Sequence, residues 1–377
     1  MAVFSPAEVT AAMSSGWFTS VISSSPLSRV CHWRRAVVNS VLMRILVTGA
    51  AGFIGFHVAR RLLQDGHEVV GLDSVNHYYD VRLKDGRLAL LQSHRNFEFV
   101  RSSLNDPEAM NLLFDRVEFD RVVHLAAQAG VRYSLERPDA YIASNVLGFL
   151  QVLEECRYRK VPHLVYASSS SVYGASTQMP FAVQNGADHP LSMYGATKRT
   201  NELMAHSYSY LFGLPTTGLR IFTAYGPWGR PDMVMFKFAR AILEGLPINV
   251  FNHGHMRRDF TYIDDVVESI VRVMNVLPVP DPKWSSERPL PNSSIAPYRL
   301  YNVGNGDPVE IVEVISLLEE ALGKKAKPNF LPLQPGDVPA TFADTKDLAE
   351  AIGFAPHTSI QEGVSKFVEW YRSFYGV

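Results

Sequence analysis

Short runs of apolar residues alternate along the chain with longer stretches whose apolar positions recur at helical spacing. This pattern predicts buried strands at Ile45–Thr48, Glu68–Leu72, Arg121–Leu125, His163–Ala167 and Thr216–Phe222. It predicts helices at Phe53–Gln64, Met110–Arg116, Ala140–Arg159, Tyr194–Phe212, Val309–Ala321 and Ile360–Tyr375. Strands that alternate with helices indicate βαβ units, in which helices cover both faces of a parallel sheet. We therefore predict an α/β fold built on a doubly wound parallel sheet.

The first predicted strand leads into a glycine-rich segment, Thr48-Gly49-Ala50-Ala51-Gly52-Phe53-Ile54-Gly55. Glycines here permit a tight turn and a close approach of the backbone to a pyrophosphate, and the following helix N-terminus offers free N–H groups. Asp73 closes the second strand about twenty residues further on, where a carboxylate accepts hydrogen bonds from the ribose hydroxyls and repels a 2′-phosphate. The combination predicts a Rossmann-type NAD site. The alternative is a structural turn beside a solvated aspartate.

The alternation of strands and helices weakens after Arg220. Prolines cluster between Pro278 and Pro297, where we expect an exposed loop. We predict an NAD-binding domain over residues 43–220. Residues 221–377 are predicted to form a smaller lobe that mainly binds substrate and is partly interleaved with the first domain.

Residues 1–42 differ in composition from the rest of the chain, with nine serines, three arginines and a single acidic residue, Glu8. Such an acid-poor segment is typical of a transit peptide. We favour an unstructured N-terminal extension, because Met43 begins a natural first strand. We expect no catalytic role for the residues before Met43.

The charges of the 377 residues nearly balance, with a formal net charge of −1, so no overall positive field attracts nucleic acid or an anionic membrane. No apolar run reaches the ~20 residues that span a bilayer. The two cysteines, Cys31 and Cys156, provide neither a disulfide framework nor the spacing of a metal site. We therefore expect a cytoplasmic protein that binds no nucleic acid, membrane or metal, and in which local arginines meet any anionic substrate.

Tyr194 and Lys198 are four residues apart near the start of a predicted helix, so both side chains lie on one face. A free tyrosine has a pKa of about 10 and is a poor base at neutral pH. A neighbouring ammonium and a positive nicotinamide ring both favour the phenolate and lower that pKa. The run Ser168–Ser171 follows the strand that ends at Ala167, at the edge where open parallel sheets bind ligands. A solvated helix face and a polar loop are the alternatives.

Together these motifs resemble those of the extended short-chain dehydrogenases/reductases over roughly residues 43–377. The resemblance also includes His124-Leu125-Ala126-Ala127-Gln128, Asn145, Ser-Ser-Val-Tyr-Gly at 170–174, and Arg258-Asp259-Phe260-Thr261-Tyr262-Ile263-Asp264-Asp265. Within that family the chain is most similar to the UDP-glucuronate 4-epimerases. Three segments carry this similarity, namely Ala129–Ser134, Phe222–Met233 and Gln334–Val338.

The resemblance implies a role for each matching residue. The implied NAD-binding residues are Gly49, Gly52, Phe53, Ile54, Gly55, Asp73, Leu104, Ala126, Ala127, Gln128, Asn145, Tyr194 and Lys198. Ser169 matches the residue that hydrogen-bonds the reacting C4 hydroxyl, Tyr194 the base, and Lys198 the residue that binds the cofactor ribose and lowers the tyrosine pKa. The implied substrate-binding residues are Ser169, Ser170, Thr223, Arg230, Arg258 and Asp337. Thr223 and Arg230 are expected beside the sugar carboxylate, and Arg258 beside the diphosphate.

One position departs from the family's pattern. Relatives usually carry an aspartate where this chain has Ser103, just before Leu104. That carboxylate accepts a hydrogen bond from the adenine amine. A serine hydroxyl also accepts, but we expect a weaker contact with adenine.

The function implied by the resemblance is epimerisation of UDP-glucuronate to UDP-galacturonate at C4, through a 4-keto intermediate and with tightly bound NAD. A UDP-glucose 4-epimerase is one alternative, although such enzymes usually have asparagine where Thr223 stands. A UDP-glucuronate decarboxylase or 4,6-dehydratase is another, although these place an acidic residue where Ser170 and Ser171 stand. A non-catalytic NAD-binding sensor is a remote alternative, against which the intact serine, tyrosine and lysine argue.

The resemblance also implies the partners of the chain. A UDP-sugar is the expected substrate. A second copy of the chain is the expected protein partner, in a homodimer formed by the helices near residues 140–159 and 194–212.

Overall fold

The computed structural model of the chain describes residues 42–377. Its strands are, in chain order, β1 (Arg44–Thr48), β2 (Glu68–Asp73), β3 (Phe97–Arg101), β4 (Arg121–His124), β5 (Leu164–Ser169), β6 (Thr216–Ile221), β7 (Thr223–Tyr225), β8 (Pro247–Val250), β9 (Arg257–Tyr262), β10 (Tyr298–Val303), β11 (Pro308–Glu310) and β12 (Lys327–Phe330). Its α-helices are α1 (Phe53–Gln64), α2 (Val81–Gln92), α3 (Pro107–Arg116), α4 (Tyr133–Glu136), α5 (Pro138–Tyr141), α6 (Gly148–Tyr158), α7 (Met193–Phe212), α8 (Val234–Glu244), α9 (Ile263–Val273), α10 (Ile311–Leu322), α11 (Lys346–Ile352) and α12 (Ile360–Tyr375). The predicted N-terminal extension lies outside the described residues, apart from Leu42.

Seven strands form a parallel central sheet in the order β10-β6-β5-β4-β1-β2-β3. The strand order reverses at β1, which pairs with β2 on one side and with β4 on the other. In a doubly wound sheet this switch point opens a crevice at the carboxyl ends of the strands. The predicted α/β fold with a doubly wound parallel sheet is confirmed.

The central strands are apolar on both sides because helices cover both faces of the sheet. In β1, alternate residues point to opposite faces. Ile45 and Val47 belong to the core that includes Phe56 of α1. Leu46 belongs to the core on the other face, which includes Phe149 of α6. The two cores hold the sheet rigid, and the carboxyl ends of the strands are thereby fixed in space.

The C-terminal half of the chain contributes to the central sheet, because β10 pairs in parallel with β6. A three-stranded sheet (β11-β9-β7) and a two-stranded sheet (β12-β8) are also formed by this half. Residues 278–297 form the predicted loop and contain no helix. Residues 42–377 form one compact unit, and the division into domains at residue 220 stays a prediction.

Several predicted boundaries are wrong. The helix predicted over Ala140–Arg159 is interrupted by a π-helical turn at Ile142–Leu147, so that α6 begins only at Gly148. The strand predicted to end at Ala167 continues to Ser169. The predicted helix Val309–Ala321 begins two residues later, because its first residues pair with β9 as strand β11.

Within residues 42–377, no helix combines the length and the apolar character that crossing a membrane requires.

Candidate active site

A cleft of about 440 Å³ lies along the carboxyl edge of the central sheet. The predicted site residues that line it are Gly49, Gly52, Phe53, Ile54, Gly55, Asp73, Leu104, Ala126, Ala127, Gln128, Ser169, Ser170, Tyr194, Lys198, Thr223, Arg230, Arg258 and Asp337. The fold therefore brings together residues that are distributed over most of the described chain. Asn145 was predicted with them but does not line the cleft.

The glycine-rich segment packs so closely that larger residues do not fit. A Cβ on Gly49, whose φ is +74°, would lie 2.7 Å from the backbone nitrogen of Ala126. A Cβ on Gly55 would overlap the carbonyl oxygen of Gly49. Gly52 precedes α1 without a side-chain cap, and the first turn of α1 contains no acidic residue. The positive end of this helix is therefore available to a phosphate group.

Asp73 ends β2 at the rim of the same cleft. Its Oδ2 accepts a hydrogen bond from the Ala51 N–H at 3.1 Å, and its Oδ1 accepts from the Val75 N–H at 2.8 Å. These two bonds fix the carboxylate beside the glycine-rich segment and leave further lone pairs for ribose hydroxyls. Ser103 also lines the cleft, and its hydroxyl accepts from the Asn105 N–H at 3.2 Å. That bond uses one of its two lone pairs.

Asn145 lies behind the cleft wall and is only 1% exposed. Its Oδ1 accepts from the Gln128 N–H at 2.8 Å, and its Nδ2 donates to the Gln128 carbonyl at 3.0 Å. The side chain thus holds the loop of Ala126–Gln128 as a backbone group would. The cofactor-binding role that the resemblance implies for Asn145 stays a prediction.

Tyr194 and Lys198 lie on the first turns of α7, which Ser192 caps by accepting from the Gly195 N–H at 3.1 Å. Ser169 ends β5 beside them and lines the same part of the cleft. Burial lowers the pKa of Lys198 to about 8, against the opposing charge of Glu202. The lysine is therefore charged at neutral pH and becomes neutral as the pH rises above about 8.

Burial raises the pKa of Tyr194, and the Ser169 hydroxyl and the positive charge of Arg230 lower it only in part. The sequence predicted that Lys198 would do the lowering. Arg230 is the cation that lowers this pKa in the structure, and the role of Lys198 stays a prediction. A further positive charge in the cleft is needed to favour the phenolate at neutral pH.

A buried carboxylate that the sequence did not reveal lies behind Lys198. Glu202 is fully buried on α7, and its Oε1 accepts from the Ser168 hydroxyl at 2.6 Å. Arg220 of β6 donates to both oxygens, at 2.8 and 2.9 Å, and Arg199 donates to Oε2 at 2.9 Å. The spacings of Lys198 and Arg199 from Glu202, each about one helical turn, are the local signals for this cluster.

Arg230 does not face the cleft as a free cation. Its Nε donates to Asp232 Oδ1 at 2.9 Å, and its Nη2 donates to Oδ2 of the same carboxylate. The Tyr78 hydroxyl donates to Asp232 Oδ2 at 3.3 Å. Although burial opposes the charge, Asp232 raises the pKa of Arg230, so the arginine stays cationic. An anionic ligand that binds the Arg230 guanidinium therefore either shares it with the Asp232 carboxylate or displaces that carboxylate.

Arg258 and Asp337, both predicted to bind substrate, contact each other. Arg258 Nη2 donates to Asp337 Oδ1 at 2.7 Å, and Nη1 donates to the Pro339 carbonyl at 3.1 Å. Asp259 is buried beneath them, where it accepts from the N–H groups of Asn305 and other loop residues. These bonds hold β9, which carries Arg258, against the loops at Asn305 and Ala343.

A crevice at the switch point that combines a phosphate-binding turn with a ribose-binding carboxylate is characteristic of dinucleotide-dependent enzymes. The comparison with protein families agrees: a model of the NAD dependent epimerase/dehydratase family matches residues 45–282. The chain belongs to that family, and its cofactor is accordingly NAD.

The chain is also similar to two curated proteins and to one solved structure. Protein CapI of Staphylococcus aureus is 53% identical over 333 residues, which are 88% of this chain and 99% of that protein. The probable UDP-glucuronate 4-epimerase of Rhizobium meliloti is 50% identical over 335 residues, 88% of this chain and 98% of that protein. The UDP-glucuronic acid 4-epimerase of Bacillus cereus, in complex with UDP-glucuronic acid and NAD, superimposes with a TM-score of 0.78 at 33% identity, over 88% of this chain and all of that one. The resemblance deduced from the motifs is confirmed.

Proposed function

We propose that the chain is an NAD-dependent UDP-glucuronate 4-epimerase, which converts UDP-glucuronate to UDP-galacturonate and back. The observation that carries the proposal is that one cleft contains two groups of residues. Tyr194 and Lys198 are suited to proton transfer at C4. The hydroxyls of Ser170 and Thr223 and the cation of Arg230 are suited to binding a carboxylate. The similarity to proteins named for this activity supports the assignment.

The cleft fits NAD by its shape and its donor groups. The backbone is packed so closely at Gly49 and Gly55 that only glycine fits. Without side chains at these positions, the backbone of the segment can approach a phosphate group directly. The two oxygens of Asp73 are fixed and favour ribose hydroxyls over a 2′-phosphate. Bound at this position, NAD supplies the reversible two-electron oxidation that the chemistry at C4 requires.

Tyr194 is the proposed base, which takes the proton of the sugar C4 hydroxyl while C4 is oxidised. Ser169 donates to or accepts from the same oxygen and keeps it within reach of the phenol. Lys198 binds the cofactor ribose and contributes positive charge to the site. The resulting 4-keto sugar rotates in the cleft, and reduction of its opposite face followed by proton return from Tyr194 inverts C4.

The 4-keto sugar carries its ketone β to the C6 carboxylate and is prone to lose CO₂. The enzyme avoids this loss when the carboxylate is held so that the breaking C–C bond does not align with the carbonyl π system. The hydroxyls of Ser169, Ser170 and Thr223 are proposed to hold it together with the cation of Arg230, through charge-assisted hydrogen bonds. The serine run contains no acidic residue for acid–base work at C5 or C6, which argues against a decarboxylase or a 4,6-dehydratase.

One observation favours a second candidate, a UDP-glucose 4-epimerase. Asp232 already neutralises Arg230 and so weakens the attraction of the cleft for a carboxylate. Incubation with UDP-glucuronate, UDP-glucose and UDP-galactose in separate NMR samples distinguishes the two candidates. The proposal expects turnover of UDP-glucuronate to be at least tenfold faster than that of either neutral sugar. Faster turnover of UDP-glucose would replace it with the second candidate.

We further propose that the chain is a cytoplasmic homodimer. Apolar side chains on the outer surfaces of α6 and α7 support the dimer, among them Leu150, Leu203 and Leu211, which are 38%, 55% and 66% exposed. The buried free thiol of Cys156 is compatible with a reducing compartment. Light scattering of the purified protein tests the dimer, since a monomeric mass would contradict it.

A further inference from the structure

Helix α2 carries two buried cations that no carboxylate neutralises within residues 42–377. Lys84 is 4% exposed and Arg87 is fully buried. The Lys84 ammonium donates two hydrogen bonds, both of 2.8 Å and both to oxygens of Asn76. It also lies 4.8 Å from the centre of the Tyr79 ring. All these partners are neutral.

The guanidinium of Arg87 is bonded only to neutral oxygens as well. Its Nη1 donates to the Ala51 carbonyl at 2.8 Å, and its Nη2 donates to the Trp228 carbonyl at 2.6 Å. Nη1 also donates to the Tyr79 hydroxyl at 2.7 Å, and Nε has no partner. Arg87 thus joins the glycine-rich segment to the loop that carries Arg230, and its charge remains uncompensated.

Buried charges in folded proteins are ordinarily paired or bound to a ligand, because desolvation penalises an isolated ion. Two cations one helical turn apart, with neutral partners only, indicate that an anion belongs beside them. The charge of Asp73 acts on Lys84, but its oxygens are bonded to the Ala51 and Val75 N–H groups and form no salt bridge with the lysine. The compensating charge must therefore come from a ligand.

The position of the two cations selects the ligand. Lys84 lines the cleft together with Asp73 and the first residues of α1. Arg87 contacts the carbonyl of Ala51, a residue of the glycine-rich segment. Arg258, which is expected with Asp337 at the substrate diphosphate, belongs to β9, and β9 pairs with β7 and not with the strands β1 and β2 that lead to the glycine-rich segment and Asp73. The anion nearest to α2 is therefore the diphosphate that joins the two halves of the dinucleotide.

We propose that Lys84 binds the diphosphate of the NAD cofactor directly, while Arg87 acts from behind the wall as a positioning residue for the glycine-rich segment. The inference rests on the NAD site of the proposed function. Burial lowers the pKa of Lys84, as do the charges of Arg87 and Arg230, and the charge of Asp73 opposes them only in part, so a bound anion stabilises the charged ammonium. A cofactor anchored in this way stays bound when it is regenerated in each turnover.

Calorimetry on protein stripped of cofactor tests the proposal. Lys84→Met removes the charge at nearly constant length, and Arg82→Met removes an exposed cation of the same helix as the matched control. The proposal expects Lys84→Met to lose at least tenfold in affinity for both NAD and ADP-ribose, and to weaken UDP binding less than threefold. Arg82→Met should match the parent. Unchanged NAD affinity, or a loss confined to UDP, would overturn the proposal.

Thermal unfolding separates ligand binding from a structural role of the lysine. Without cofactor, Lys84→Met should have a Tm equal to or above that of the parent, because an uncompensated buried charge is removed. Its rise in Tm on adding NAD should be smaller than that of the parent. A lower Tm of the stripped variant, with an unchanged rise, would show that Lys84 serves the fold.

Lys84→Arg retains the charge and should retain most of the NAD affinity; a loss as large as that of Lys84→Met would contradict a role of the charge. These measurements record binding and not turnover. They remain decisive even if the chain fails to epimerise UDP-glucuronate, so the failure of one proposal is distinguishable from the failure of the other.

Discussion

Glu202 and Arg220 form a fully buried ion pair, joined by two hydrogen bonds of 2.8 and 2.9 Å, that ties α7 to β6. The same carboxylate accepts a hydrogen bond from Ser168, whose neighbour Ser169 lines the cleft. Lys198 lies one turn before Glu202 on α7. The relative position of Ser169 and the base-bearing helix therefore depends on this pair.

Glu202→Gln should destabilise the fold and shift the pH profile. Loss of one partner of a buried pair typically costs about 3–5 kcal/mol in the free energy of unfolding, which denaturant titration measures. Glu202 also opposes the lowering of the Lys198 pKa, so its removal should move that pKa below about 8. Because Lys198 is charged only below its pKa, the alkaline limb of kcat should move to lower pH.

Ser168→Ala is the control for this variant, since it removes a hydrogen bond to Glu202 and leaves every charge in place. Its alkaline limb should coincide with that of the parent. An unshifted limb in Glu202→Gln would mean that the cluster acts on packing alone.

Tyr194→Phe should retain the fold and the bound NAD but lose turnover about 10²–10⁴-fold, the usual contribution of a general base. The substitution removes only the phenolic oxygen from the first turn of α7. Steady-state kinetics and the absorbance of the retained cofactor provide the two measurements. Activity above a few per cent of the parent would assign the base to another group.

Asp73→Ala should weaken NAD binding and narrow the difference in affinity between NAD and NADP. The carboxylate is fixed at the end of β2, where it accepts from ribose hydroxyls and repels a 2′-phosphate. Calorimetry with both dinucleotides on stripped protein measures the effect. An NAD affinity equal to that of the parent would remove Asp73 from the ribose site.

Arg230→Leu should reduce turnover of UDP-glucuronate severely, because loss of a charged hydrogen bond to a buried carboxylate typically costs ~2–5 kcal/mol. The turnover that survives should release some CO₂ and a 4-keto pentose, since the carboxylate is no longer held. Asp232→Asn leaves the guanidinium in place and removes its internal partner. That variant should bind UDP-glucuronate more tightly than the parent. Equal losses of UDP-glucuronate and UDP-glucose turnover in Arg230→Leu would place Arg230 at the diphosphate or in the fold.

Acid should destabilise the protein through its buried histidines. Burial lowers the pKa of His124 to about 3, with Lys198 acting in the same direction, and lowers that of His57 to about 3. In the unfolded chain both titrate near 6.5, so between pH 6.5 and 3 the unfolded state binds more protons and stability falls as the pH falls. At pH 5 the expected loss is about 2 kcal/mol per histidine. A free energy of unfolding that is constant from pH 7 to pH 5 would contradict this expectation.

The sequence revealed the parts of the site that are local in the chain. The glycine-rich segment with Asp73, and Tyr194 with Lys198, are short patterns whose spacing alone indicates geometry. The partners of Arg230 and Arg258 were not foreseen: Asp232 is only two residues from Arg230, but their pairing depends on the backbone conformation of that loop, and Asp337 is distant in the chain from Arg258. The burial of Glu202 was hidden for the same reason, since its partner Arg220 belongs to another element.

Among the elements that the sequence did not predict, α2 and β3 have identifiable physical reasons. The inward face of α2 carries Lys84 and Arg87 among its leucines, and these charges obscure the apolar periodicity from which helices are predicted. Strand β3 lies at the edge of the sheet, and none of its five residues is fully buried, so no apolar run marked it. The two charges that obscure the helical pattern of α2 are also those that we assign to cofactor binding.

NMR of UDP-glucuronate deuterated at C4, incubated with the enzyme in ordinary water, tests the proposed epimerisation most directly. The account predicts that UDP-galacturonate forms with the deuterium retained at C4, because the hydrogen removed from that carbon returns to it within the same cleft. It also predicts that no UDP-pentose accumulates, because the carboxylate is held. Absence of UDP-galacturonate, exchange of the label with water, or release of a UDP-pentose would contradict the assignment of the chain as a UDP-glucuronate 4-epimerase.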